Sequence, residues 1–355
     1  LIEDFGWSET LQHDFAPHAA KGLTPGRVVV QQRGLYTTLT DLGELAAQLS
    51  GRLANDPGEA SHPAVGDWVA LAPRPDEGAA TIHAVMPRRT AFVRKAANTV
   101  QTAQVVAANV DAAFLVASMN ADFNARRLER YLAVAWQSGA KPVVVLNKAD
   151  LCDDPDAIVA AAEGVAIGTP VLAVSAVTGQ GMAALAEQLR PRETGVLVGS
   201  SGVGKSTLVN ALAGEDLMAT AAIREDDARG RHTTTHRELI QLPSGALILD
   251  TPGMRELGLL DADDGLDATF ADIEALAEQC RFRDCGHASE PGCAVRAALE
   301  AGTLDPGRWK SFQKLGRELA MLDRRDDPIA REAHRRRWAV INKANRARAK
   351  QRQRW

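Results

Sequence analysis

The chain has 355 residues, 45% of them apolar and 24% charged, with a formal net charge of −4. That is an ordinary globular composition with length for two or three domains. Four cysteines exclude a disulfide scaffold, no apolar run approaches the roughly 18 residues of a membrane helix, and the acidic opening segment (Glu3, Asp4, Glu9, Asp14) lacks the apolar centre of a secretory signal. A cytoplasmic chain with no membrane partner is expected.

In chain order, the first elements are short β-rich runs at Arg27–Gln32, Leu35–Leu39, Gly66–Leu71 and Thr81–Val85, separated by Gly, Pro and Asp clusters. They predict a small sandwich or barrel. From about Val110 the pattern alternates. Strands are predicted at Asp111–Ser118, Pro142–Leu146, Pro170–Ser175 and Thr194–Val198, and helices at Asn124–Ser138, Asp156–Glu163, Gly181–Leu189 and Lys205–Ala213. A hairpin follows at Glu238–Leu242 and Ala246–Leu249. This alternation predicts an α/β fold whose parallel sheet is covered on both faces. After Leu260 the chain turns helical, with Trp309, Phe312, Leu315, Leu319 and Leu322 at helical spacing.

Gly199-Ser200-Ser201-Gly202-Val203-Gly204-Lys205-Ser206 has the spacing of a phosphate-binding loop, between a predicted strand and a predicted helix. Glycines allow the backbone to aim its N–H groups at phosphate oxygens, and the helix N-terminus adds its positive end. Lys205 should reach the β- and γ-phosphates and the Ser206 hydroxyl should ligate Mg²⁺. Asn147-Lys148-Ala149-Asp150 ends another predicted strand. The Asp150 carboxylate suits the N1–H and 2-amino group of guanine, whereas adenine would leave it unmatched. Asn147 would tie this loop to the phosphate loop, the Lys148 stem would lie along the purine, and Ser175-Ala176 would offer a backbone N–H to the guanine oxygen. Asp250-Thr251-Pro252-Gly253 is placed to hold Mg²⁺ through Asp250 and the γ-phosphate through the Gly253 N–H. Between them, Thr233 or Thr234 should complete the Mg²⁺ shell. GTP or GDP is thus the expected ligand.

Most GTPases meet the phosphate loop first and the guanine motif last; here the order is reversed, so the chain is circularly permuted. With Asn147–Asp150, Gly199–Thr207, Gly230–Thr235 and Asp250–Gly253 in this order, the sequence resembles the circularly permuted, ribosome small-subunit-dependent GTPases of bacteria. The resemblance spans nearly the whole chain. It implies an OB-fold barrel over residues 1–98, a permuted GTPase domain over 99–262 with Thr207 in its phosphate site, and a zinc-binding helical domain over 263–355. It also implies action late in small-subunit maturation, with contact to ribosomal RNA and hydrolysis stimulated by the subunit. A monomer is expected. Met254 stands where many GTPases place a water-orienting Gln, so intrinsic hydrolysis should be slow. His232 is the internal candidate for the missing group, and ribosomal RNA or an ordered switch the external one.

Cys280, Cys285, His287 and Cys293 place three of the four cysteines within fourteen residues. Thiolates and an imidazole suit tetrahedral Zn²⁺, and four protein ligands make the site structural. The cluster also matches the zinc motif of the family it resembles. Cys152, alone in an acidic loop, reads as an ordinary thiol. From Arg331 to Trp355 ten Lys/Arg face one acid, a segment of about +9 on a body of about −13. Such a tail suits a polyanion. The alternative is a nucleotide-regulated RNA- or protein-binding module whose hydrolysis is incidental.

Overall fold

The computed structural model describes residues 1–32, 34–56, 62–95, 103–120, 123–217, 237–250 and 263–326. Helix α1 (Glu9–Ala19) starts at Ser8, whose hydroxyl accepts from the Leu11 N–H, a helix cap. It packs Leu11 and Phe15 against Trp68, Ala70 and Met86. Five strands follow: β1 (Thr24–Gln32), β2 (Leu35–Thr40), β3 (Gly43–Leu49), β4 (Trp68–Arg74) and β5 (Ala79–Val85), with a one-turn helix α2 (Gly51–Ala54) after β3. Their order is β1-β2-β3-β5-β4, and β4 pairs back onto β1, closing a five-stranded barrel. The β3–β5 pair is parallel.

Three of these elements, α1, β3 and the one-turn α2, lie outside the sequence reading. α1 carries a proline at position 17, and β3 reads Gly-Glu-Leu-Ala-Ala-Gln-Leu, with no β-branched residue. Its inward Leu45 and Ala47 alternate with exposed Glu44, Ala46 and Gln48. Pairing with β2 and β5, not intrinsic propensity, makes it a strand. A hairpin, β6 (Ala91–Lys95) with β7 (Ala103–Ala108), also escaped the sequence reading and leads into the next sheet.

That sheet contains β8 (Ala112–Ser118), β9 (Lys141–Asn147), β10 (Val171–Ala173), β11 (Thr194–Val198), β12 (Arg237–Gln241) and β13 (Leu247–Asp250) in the order β10-β9-β8-β11-β13-β12. All neighbours are parallel except β12–β13. Alternate residues enter two separate cores: Ala113 and Leu115 on one face of β8, Ala112, Phe114 and Val116 on the other. Helices α3 (Ala125–Ser138) and α4 (Pro155–Glu163) cover the first face; α5 (Met182–Ala186) and α6 (Lys205–Ala213) cover the second.

Barrel and sheet are joined. The end of β1 pairs with β12, Val30 opposite Glu238 and Gln31 opposite Arg237. Arg27, only 2% exposed, donates from Nη2 to Thr194 Oγ1 at 2.8 Å and from Nε to Gly66 O at 3.3 Å. Burial draws its pKa down to about 10. Thr194 opens β11, the strand that leads into the phosphate loop.

Of the C-terminal helices α7 (Asp263–Thr269), α8 (Ala271–Ala277), α9 (Ala294–Glu300) and α10 (Pro306–Asp326), α7 and α10 lie against α3, and α8 packs on α7 and α9. Gly265 permits the approach of α7, because a Cβ there would overlap the Ala133 carbonyl. Leu315 and Leu319 of the predicted stripe are buried core, and Trp309 and Phe312 pack against it. A buried polar node locks these elements together. Arg308 forks onto Asp272 at 2.7 and 2.8 Å and reaches Glu129 of α3 at 3.1 Å. No described helix is long and apolar enough to cross a membrane.

Candidate nucleotide site and cysteine–histidine centre

The loop from Gly199 to Gly204 connects the end of β11 to the first residue of α6. Gly202 and Gly204 have φ of 81° and 93°, in the left-handed region that favours glycine. At Gly204 a Cβ would also collide with the Asn147 side-chain nitrogen. The loop curls around its own lysine: Lys205 Nζ donates to Gly199 O at 2.7 Å and to Ser200 O at 2.6 Å. Lys205, Ser206 and Thr207 form the first turn of α6, where backbone N–H groups have no partner within the helix. The position suits an anion.

The residues expected on the base side converge on the same loop. β9 ends at Asn147, 2% exposed, whose Nδ2 donates to Val203 O at 2.9 Å while its Oδ1 accepts from the Ala176 N–H at 3.3 Å. One buried side chain therefore joins the loops that follow β9, β10 and β11. Lys148, at φ 65°, donates from Nζ to Gly202 O at 2.8 Å. Asp150 is exposed on the short 3-10 turn Ala149–Leu151. Ser175 is buried after β10, its hydroxyl accepting from the Thr178 N–H at 3.1 Å. All of this lies at the carboxyl edge of the parallel strands, where α/β sheets bind ligands. Asp250 is the last residue of β13. His232, Thr233, Thr234 and Gly253 lie outside the described residues, as does the basic segment 331–355.

The sequence reading overlooked Arg127 and Tyr131. Both project from α3 onto the phosphate loop: Arg127 Nη1 donates to Ser200 Oγ at 2.7 Å, and Tyr131 Oη lies 3.3 Å from the same oxygen. Their spacing of four on a predicted helix was visible, but it reads equally as a polar surface face.

The second centre is built by the turns after α8 and the start of α9. Donor atoms of Cys280, Cys285, His287 and Cys293 all lie within 4.8 Å of one another. Cys280 Sγ is 3.6 Å from His287 Nδ1 and 3.9 Å from Cys293 Sγ, and His287 Nδ1 is 3.4 Å from Cys293 Sγ. A tetrahedron with Zn–S of ~2.3 Å and Zn–N of ~2.05 Å has edges of roughly 3.8 and 3.5 Å; the Cys280–His287–Cys293 triangle has such edges and Cys285 lies within 4.8 Å of it, a donor set compatible with that ion. Glu290 shapes the ligand loop by accepting from the N–H groups of Gly286, Ala288 and Ser289 at 2.8 to 3.1 Å. Backbone N–H donation, led by that of Glu290 itself and Ser289, pulls its carboxyl down to about 2. Trp309 meets the His287 ring edge-on, with centroids 5.7 Å apart.

Fold and site together define a class, the circularly permuted P-loop GTPases carrying a five-stranded barrel. A profile of the RsgA GTPase family matches residues 85–260. The chain is 48% identical to the small ribosomal subunit biogenesis GTPase RsgA of Opitutus terrae, over 100% of this chain and 99% of that one. It is 50% identical to RsgA 2 of Lactiplantibacillus plantarum, over 89% and 88%. Among solved structures, YjeQ from Thermotoga maritima superposes with a TM-score of 0.63 at 27% identity, covering 84% of this chain and 99% of that one. YloQ, described as a circularly permuted GTPase, gives 0.60 at 26%, covering 84% and 95%. The chain belongs to the RsgA family of small ribosomal subunit biogenesis GTPases.

Proposed function

We propose that this GTPase binds GTP with Mg²⁺ between the loops of β9, β10 and β11, and that hydrolysis governs its hold on the maturing small ribosomal subunit. The observation that carries the reading is the Asn147 side chain, which bonds to the phosphate loop and the Ser175-Ala176 loop at once. It holds the loops after β9 and β10 beside the loop after β11 at one strand edge, which supports reading the first two as the base side and the third as the phosphate side. Gly199 through Thr207 hold the phosphates: the N–H groups of the loop and of the first helical turn face the anion, and Lys205 supplies the positive charge. Asp150 reads the guanine, the Lys148 stem covers one ring face, and Ala176 meets the carbonyl oxygen. Ser206 and Asp250 hold the metal ion, which spreads charge over the terminal phosphates when bound. Gly253 meets the γ-phosphate, Thr233 or Thr234 completes the Mg²⁺ shell, and His232 is the chain's own candidate for orienting the water.

Cys280, Cys285, His287 and Cys293 hold one structural Zn²⁺. Contact with ribosomal RNA falls to the barrel, the metal-stapled helices and the ten Lys/Arg of segment 331–355, and the work is cytoplasmic. Steady-state GTPase assays with purified small subunits test this. Stimulation of at least tenfold, falling with added salt as phosphate contacts are screened, supports the proposal. A flat response refutes it in favour of a nucleotide-regulated binding module.

A further inference from the structure

The phosphate loop is held from behind by a pair of side chains that belong to neither nucleotide motif. Asn124 caps α3 by accepting from the Arg127 N–H at 3.0 Å, which fixes the first turn. Arg127 and Tyr131 then lie one turn apart on the same face and both meet Ser200 Oγ, at 2.7 and 3.3 Å. The Ser200 carbonyl in turn accepts from Lys205 Nζ at 2.6 Å. A continuous set of contacts thus runs from α3 through one serine to the ammonium of the loop.

A lysine ammonium is a point charge on a flexible four-carbon stem. Its contribution to phosphate binding depends on what holds it in line before the ligand arrives. α3 itself is clamped: Glu129 to Arg308 at 3.1 Å, and Arg130 to Glu318 of α10 at 2.8 and 3.0 Å. Arg127 therefore projects from a helix that cannot shift freely.

We propose that Arg127, assisted by Tyr131, is a positioning residue for GTP turnover, holding Lys205 on its line to the terminal phosphates through Ser200. This rests on the guanine-nucleotide reading above. Because the γ-phosphate carries the charge that distinguishes GTP from GDP, a wandering Lys205 costs GTP more than GDP.

The test uses the full chain with Mg²⁺, GTP and GDP affinities by calorimetry, and kcat and KM for GTP. Arg127→Ala is expected to weaken GTP five- to thirtyfold and GDP less than threefold, with Arg127→Lys recovering most of the loss. In a Lys205→Ala background, Arg127→Ala is expected to add less than twofold, since the group it positions is gone. Equal losses for GTP and GDP, or a full additional loss on top of Lys205→Ala, overturn the proposal. If Lys205→Ala itself leaves GTP binding unchanged, both the proposal and the nucleotide reading beneath it fall. Should Arg127→Ala not fold, Tyr131→Phe removes only one hydroxyl and must narrow the GTP-over-GDP preference at least twofold.

Discussion

Asn147→Ala is the most informative single change, because one buried amide spans two loops. Its loss orphans the Val203 carbonyl, on a residue 3% exposed, and the N–H of half-buried Ala176. An unsatisfied buried carbonyl costs about 1–3 kcal/mol, and a bond whose donor can reach water about 0.5–1.5 kcal/mol. Together they come to about 1.5–4.5 kcal/mol, roughly a 10- to 2000-fold change in an equilibrium constant. Both bonds join parts of the fold to one another, so the loss divides between stability and binding. Titration of GTP and GDP by calorimetry, beside a thermal melt of the free protein, measures each share. Affinity should fall for both nucleotides, since the amide touches neither the γ-phosphate nor its lysine. Binding within threefold of the parent, with an unchanged melting temperature, would refute the idea that this side chain assembles the site.

Asp150→Asn should exchange base preference: its amide donor clashes with the guanine 2-amino group but suits the 2-oxo group of xanthine. Calorimetry should show GTP weakened by ~10²-fold or more and XTP gained. Chelation should lower the melting temperature of the C-terminal region, and Cys285→Ser should mimic it; an unchanged melting temperature without metal would argue against a structural ion. For Glu290, the folded carboxyl titrates at about 2 against an ordinary 4.5, so its contribution is complete above pH 4.5 and fades as pH falls toward 2. Metal-free melts should therefore show Glu290→Gln below the parent at pH 6, the gap closing toward pH 2. Arg308→Ala takes from Glu129, 0% exposed, one of two arginine partners, Arg126 Nη1 remaining at 2.6 Å. Equilibrium unfolding should show a loss of about 1.5–3 kcal/mol for the charge-assisted bond, with the double variant Arg308→Met/Glu129→Leu recovering part of it.

The two nucleotide motifs and the cysteine cluster were legible because their chemistry is local. Gly199 to Ser206 needs only its own backbone freedom and the helix that follows, and Cys280 to Cys293 carries four donors within one short turn-rich stretch. The strands of the second sheet were legible for a related reason: burial on both faces demands continuous apolar runs, and Val143 to Leu146 is such a run. β3 was not, since its Ala, Glu and Gln become a strand only when β2 and β5 flank it.

The sequence by itself therefore determined the ligand class, the permuted order and the cysteine–histidine cluster, all properties of adjacent residues. Only the tertiary structure decided how the parts are bolted together. Arg27 meets Thr194 across 167 residues, Arg127 meets Ser200 across 73, and Arg308 meets Glu129 across 179. Contacts between single polar side chains so far apart impose no period and no spacing on the chain; they exist because packed sheets and helices bring their ends within hydrogen-bond reach.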